Sequence, residues 1–249
     1  MMGRTHGISG WCAGLAVAPA LGLATLPSIL FATTVAGFAL LPDLDCGSAT
    51  ASRILGPITG AMSWALRGAS RALYAVTKGP RDEDWSGEHR HLSHTVVFAL
   101  AAGGLTALGT HLAGRWVVLA VLAFGILLAH AALGGWIALA AGGGAAAIAI
   151  TSGGTVLDSV APWLWIAVTV GCVVHCLGDA LTLSGCPFLF PIPIAGETWA
   201  ELGPPYFMRF RTGGAVESRV IFPVFAALGV LLLPGVWDTA LTVIHHIAT

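Results

Sequence analysis

Three imidazoles fall within six residues, at His89, His91 and His94 of the stretch His89-Arg90-His91-Leu92-Ser93-His94-Thr95. Imidazole is the commonest metal ligand and the usual proton carrier near neutral pH. Only 9% of the 249 residues are charged, so this polar knot stands out from an apolar chain. A second pair is His175 and Asp179: four apart on a helix, they project from one face about one turn apart. Imidazole and carboxylate together suit zinc and other divalent first-row ions; the alternative is a polar histidine bonded to a neighbouring helix. Asp43 and Asp45 flank Leu44 in Pro42-Asp43-Leu44-Asp45. In an extended segment their carboxylates point to opposite sides, leaving one to bind metal and the other to orient a histidine or act as a base. Arg90 can stabilise negative charge on a phosphoryl or carboxyl oxygen.

The elements that carry these residues are apolar helices. The chain is 56% hydrophobic, above the roughly 45–50% of a soluble domain, and several windows approach the ~20 apolar residues that span a bilayer. Its apolar runs lack the alternation of barrel strands. The expected fold is all-α and polytopic, a single domain over 1–249 with about five full spans. Pro19 and Pro27 break the first run into a short re-entrant hairpin of two helices, about 8–20 and 29–41. Residues 49–78 follow as an amphipathic helix: Arg67, Arg71 and Lys78 lie within about 40° on a 3.6-residue wheel, with Trp64, Leu66, Leu73 and Tyr74 as apolar bulk. Such a helix fits the membrane interface, though a solvated face has the same pattern. Spans follow at 95–112, at 116–150 as two crossings, at 162–180 after a loop marked by Gly153-Gly154 and Asp158, and at 220–237. The Pro- and Gly-rich segment 184–214 reads as an ordered loop.

Span parity then places the polar residues. With two crossings in 116–150, His94 and Asp179 share one side of the membrane, and the hairpin keeps His6 and Asp45 on that side too. Ten of the eleven basic residues fall there, Arg115 being the exception, so this side is the cytoplasm by the positive-inside rule. The five cysteines read as free thiols, reduced in that compartment. A net charge of −1 argues against nucleic acid as a partner. His89, His91 and His94 cannot share one helical face, because five residues rotate the wheel by about 140°. Ser93 is a candidate N-cap, His94 would sit in the first helical turn, His89 on the loop, and His91 is incidental. His130 is a supporting candidate, and His111, His245 and His246 are set aside.

The order of motifs resembles a family of bacterial membrane-bound, metal-dependent hydrolases of the YdjM type, LexA-regulated inner-membrane proteins. The resemblance rests on Thr5-His6, Leu41-Pro42-Asp43-Leu44-Asp45, His89-Arg90-x-x-Ser93-His94-Thr95, His175-x-x-x-Asp179-x-x-Thr182-x-x-Gly185, and Arg211-Thr212-Gly213 followed by Glu217. This chain differs in having His91 within the third motif, Thr95 where Ser is expected, and added spans before His175. The same order is similar to the ligand layout of zinc-dependent phospholipases C. That likeness implies His6, His94, His175 and Asp179 as ligands, Asp179 bridging, with Asp45 a ligand or base and Glu217 a partial substitute for their later ligands.

The expectation is therefore a multi-pass enzyme of the bacterial inner membrane. One or two divalent ions, zinc by preference, would be held by a set drawn from His6, Asp43, Asp45, His89, His94, His175 and Asp179. Asp45 and Arg90 would be catalytic, and Arg90, Arg209, Arg211 and Glu217 would face the substrate. The substrate would be a membrane lipid or another small amphiphile. A metal or proton transporter, or a non-catalytic membrane protein with a structural metal, are the alternatives.

Overall fold

The computed structural model describes residues 1–135 and 155–236, together with 242 and 246. Helix α1 spans Gly3–Val17 and α2 spans Thr25–Phe38. A 3-10 turn, Ala18–Leu21, and a left-handed Gly22 (φ 66°) join them. The hairpin is as expected, but its arms start earlier than 8 and 29. Pro27 lies in the first turn of α2, where backbone N–H groups have no intrahelical partner to lose, and regular bonding begins one residue later with Ser28 N–H to Ala24 O at 2.9 Å. The shift puts His6 inside α1.

Helix α2 is the axis of the bundle. Glycines let the other helices approach it closely, the usual device where lipid provides no hydrophobic drive between helices. A Cβ at Gly14 of α1 would lie 2.5 Å from Ala32 Cα, and one at Gly37 of α2 would lie 1.9 Å from Gly125 O. Helix α3 is a single turn, Thr50–Arg53, and α4 spans Pro57–Thr77. Helices α5, α6 and α7 span Val96–Ala113, Arg115–Leu133 and Thr155–Ala180. The last, α8 (Phe222–Leu231), continues from a π-helical turn at Glu217–Ile221. Among the described residues four segments are long and apolar enough to cross a membrane: Thr25–Asp45, Val96–Ala113, Arg115–Leu133 and Ala161–Ala180. The second arm of the hairpin is thus one of them, whereas the expected span 220–237 is represented by the shorter α8. Helix α7 starts at Thr155 and runs through Pro162, so Asp158 is helical, not part of a loop. No β-strand forms among the described residues, only isolated bridges such as Thr182 with Phe210 and Cys186 with Leu202, which order the 184–214 loop.

Packing orients the helices relative to the site. Val118, near the start of α6, clusters with Trp163 and Leu164 near the start of α7. Leu128, toward the end of α6, clusters with Ala99 and with Val168 and Cys172 farther along α7. The chain therefore leaves α6 at the end that carries His6 and enters α7 at the opposite end, as the parity argument requires. The second crossing expected within 116–150 falls on 136–150 and lies outside the described residues.

Helix α4 holds the histidine loop. The buried Ser70 donates to Gly87 O and accepts from Leu92 N–H at 3.2 Å. The Tyr74 hydroxyl donates to Glu83 O. Tyr74 is thus buried against the loop, while Trp64 is 74% exposed on the outer surface, the side expected to meet the interface.

Candidate metal centre

Four chain segments bring ligand-type side chains to one point, and each is placed for a local reason. His6 lies at the end of the first turn of α1. Asp43 and Asp45 lie in a 3-10 turn, Pro42–Asp45, that continues from α2. This corrects the extended geometry expected for them: a tight turn swings both carboxylates toward the helix bundle. His94 closes another 3-10 turn, Leu92–His94, just before α5. It is therefore outside the helix, and the N-cap is Thr95, whose side chain accepts from Phe98 N–H at 3.1 Å. Ser93, freed from capping, donates to Asp45 Oδ2 at 2.7 Å. His175 and Asp179 sit in the last turns of α7 and, as expected, face the same way.

The cluster is buried. His6, Asp45, His94 and His175 are fully buried and Asp179 is 1% exposed. The ring of His6 stacks on that of His175 at 3.7 Å. Asp179 lies at the centre, with His6 Nε2 3.2 Å from Oδ1, and His94 Nε2 and His175 Nε2 3.4 and 3.7 Å from Oδ2. Asp43 Oδ1 is 3.8 Å from His175 Nε2. The Met1 amino group also pairs with Asp179.

The hydrogen bonds around the histidines settle which nitrogens point inward. His175 Nδ1–H donates to Ala39 O at 2.7 Å, so its Nε2 presents a lone pair to the cluster. His94 Nδ1 faces Asp45 Oδ2 at 3.3 Å, a carboxylate-imidazole arrangement that commonly orients metal-bound histidine. With its proton on Nδ1, His94 also turns a lone pair inward, toward His175 Nε2 at 3.1 Å. Two facing lone pairs repel unless a proton or a cation lies between them. Burial lowers the His94 pKa, but the carboxylates of Asp45 and Asp179 outweigh it and hold His94 well above the usual histidine range. Positive charge is favoured at this point, and a metal ion can replace that proton.

Two further observations fit an ion. Both ring nitrogens of His6 and Asp179 Oδ2 are buried without a hydrogen-bond partner among the described residues, a costly state for buried groups without a ligand, although Arg90 lies in ion-pair range of Asp179 Oδ2. The donor separations of 3.2–3.8 Å also match the roughly 3.3–3.5 Å between ligands of a tetrahedral zinc bound at ~2.0–2.1 Å. Three overlapping triads can hold an ion: His6, His175 and Asp179; Asp43, His94 and His175; and Asp43, Asp45 and His89. The first and third share no residue, so the donors suffice for one ion or two.

The profile of the YdjM inner membrane protein family matches residues 1–240, which takes in every one of these segments. The chain belongs to the YdjM inner membrane protein family. No curated protein and no solved structure matches it. As a YdjM protein with four membrane-length apolar helices among the described residues it is an inner-membrane protein, and its buried His/Asp cluster can hold a metal ion.

The remaining expected residues divide. Arg90 adopts a left-handed backbone (φ 57°), a conformation uncommon outside glycine. It lets the Arg90 N–H bond Asp45 Oδ2 at 2.9 Å while its guanidinium reaches Asp179 Oδ2 at 3.1 Å and Thr182 Oγ1 at 3.2 Å. His89 Nδ1 bonds Asp45 Oδ1 at 2.6 Å, and its ring is 44% exposed. His91 turns away, bonding the His89 carbonyl at 2.8 Å and packing on Tyr74. Arg209 lines a neighbouring cavity, whereas Arg211 is exposed and makes no hydrogen bond or ion pair with the cluster. Glu217 departs from the substrate-facing position expected for it. It is buried and accepts backbone N–H bonds from Met2 and Gly213, both at 2.7 Å, so it anchors the start of α1 and with it His6. Its acidity increases because those N–H bonds outweigh the opposing effect of burial. His111 and His130 are exposed and stand apart from the cluster, and His245 lies outside the described residues. All five cysteines are free thiols. Sequence reasoning missed the carbonyl of Ala39, since a backbone acceptor leaves no signal in residue type.

Proposed function

We propose that this protein is a metal-dependent hydrolase embedded in the inner membrane, cleaving a phosphoester or related bond of a lipid-like or amphiphilic substrate at the cytoplasmic face. The observation that supports it is the inward-facing imidazole nitrogens of His6, His94 and His175 around Asp179, with the Arg90 guanidinium beside them. His6, His175 and Asp179, joined by Asp43 and His94, would hold one or two ions, with zinc favoured by the imidazole and carboxylate donors. Such an ion supplies acidified water and polarisation of a phosphoryl oxygen.

The chain's own groups supply the rest. Asp45 orients His94 and His89 together, and His89, open to solvent and bonded to Asp45 through Nδ1, is placed to carry a proton away from water. Arg90, with 19% of its side chain exposed, can turn one edge of its fork to a phosphoryl oxygen while the other stays on Asp179; a planar guanidinium suits such a paired role. Burial and the apolar helices around the cluster keep bulk water out. A transporter would place its ligands near the bilayer midplane, whereas these gather at the helix ends.

The test combines metal content with turnover. Purified protein should carry about one or two zinc ions per chain, lost in His175→Ala and Asp179→Ala, and should hydrolyse a chromogenic phosphodiester in a chelator-sensitive way. Equal metal in parent and variants would remove the basis of the proposal, and zinc flux into liposomes without hydrolysis would favour transport.

A further inference from the structure

Beyond Arg90 from the metal cluster lies a cavity of about 260 Å³. Its floor is aromatic: Tyr74 meets His91 at 4.5 Å and Trp199 at 5.5 Å between ring centroids, and Phe190 stacks on Trp199 at 3.8 Å from beneath. Trp85 stands at the mouth, 60% exposed. The walls carry four acidic residues, Asp82, Glu83, Glu197 and Glu201, against two basic ones, Arg90 and Arg209.

One arginine and one of the acids are engaged outside the cavity, while Arg209 keeps its charge there and leaves the acidic residues in excess. Arg90 pairs with Asp179, and Arg209 Nε donates to Pro204 O at 2.8 Å. Asp82 accepts from the backbone N–H groups of Gly79, Thr198 and Trp199 at 2.7–3.2 Å. Glu83, Glu197 and Glu201 are left without an ion-pair partner among the described residues. Burial raises the Glu201 pKa and the charge of Glu83 adds to the effect, with Arg209 and Arg90 opposing it. A cavity with an aromatic floor and unpaired carboxylates attracts a cation and repels an anion, and the ring quadrupole favours one that is large and weakly hydrated. A divalent metal is a poorer occupant, since none of the ligand triads draws a residue from these walls.

We propose that this cavity binds an alkylammonium or quaternary ammonium group, the cationic end of a zwitterionic phosphoester whose phosphate lies at Arg90. Arg90 is the wall the cavity shares with the metal centre, so one substrate with an anion and a cation a few bonds apart spans both. The phosphate end rests on the hydrolase proposal above, while the ammonium end stands on the cavity alone.

The test titrates the full-length protein in detergent micelles with tetramethylammonium chloride, read by saturation-transfer NMR on the methyl protons against sodium chloride at matched ionic strength. Saturable binding in the millimolar range is expected, unaffected by chelators. It should weaken about five- to tenfold in the Glu83→Gln/Glu201→Gln double variant and in Trp85→Ala, whose site is at the surface. No saturation in the parent, or equal binding in both variants, overturns the proposal. Metal content and phosphodiester turnover are measured on the same samples. Ammonium binding without metal or turnover would keep the cavity and remove the hydrolase; turnover without ammonium binding would do the reverse.

Discussion

Replacing Asp45 by Asn separates a residue that orients ligands from one that binds metal. The fully buried carboxylate receives four donors: His89 Nδ1 at 2.6 Å on Oδ1, and Arg90 N–H at 2.9 Å, Ser93 Oγ at 2.7 Å and His94 Nδ1 at 3.3 Å on Oδ2. An amide has one acceptor oxygen and one NH2 donor. With its oxygen in the Oδ2 position it keeps the Arg90 N–H and Ser93 bonds and the His94 contact in neutral form, but its NH2 then faces His89. Losing one bond to a charged acceptor costs about 1.5–3 kcal/mol. Metal affinity should fall by roughly 10–100-fold, the usual effect of removing a partner behind a metal-bound histidine. Competition against a chromophoric chelator measures the affinity, and thermal unfolding of the apo protein measures the stability. An unchanged affinity would show that Asp45 does not orient His94. A loss as complete as that of His175→Ala or Asp179→Ala would make Asp45 a ligand.

Three other outcomes are expected. Glu217→Gln should destabilise the protein by about 1.5–3 kcal/mol at neutral pH, because two N–H bonds to a carboxylate are weakened. The Glu217 pKa is lowered in the fold, so its contribution is present above the unfolded carboxyl range and fades as pH falls through the folded value; melting curves of parent and variant should converge in acid. Gly37→Ala puts a Cβ 1.9 Å from Gly125 O and must push α2 from α6, whereas Gly104→Ala meets nothing within 4 Å. The first should cost about 1–3 kcal/mol or more by overpacking and the second be neutral or stabilise by up to about 1 kcal/mol, alanine being the better helix former, as read by thermal unfolding in detergent. Chelation should lower the melting temperature of the parent and added zinc restore it, by mass action on the folded state; a midpoint indifferent to both would count against a resident ion.

Much of the site was legible because its parts lie close together in the chain or obey a period. His175 and Asp179 share a helix face by spacing alone, and parity put them on the side of His94 without any contact being known. Backbone detail was less accessible. Pro27 reads as a break by residue type, yet a proline in the first helical turn has no bond to disrupt. Ser93 reads as the N-cap, and only the direction of the chain entering α5 gives that role to Thr95 and releases Ser93 to Asp45. Tyr74 looked like interfacial bulk because amphipathicity records which face is apolar, not what covers that face.

From sequence alone came the apolar helical character, the inner-membrane family resemblance and the list of imidazoles and carboxylates, all carried by composition, period and motif order. Tertiary structure decided what each of these does. The close approach of α1, α6 and α7 to α2 through glycines brings four distant segments within hydrogen-bonding distance. Bonds from His175 to Ala39 and from His94 to Asp45 turn particular nitrogens inward. Glu217 became an anchor for α1 and His91 a wall of the neighbouring cavity, because a side chain's role follows from which atoms it meets, and those meetings are long-range.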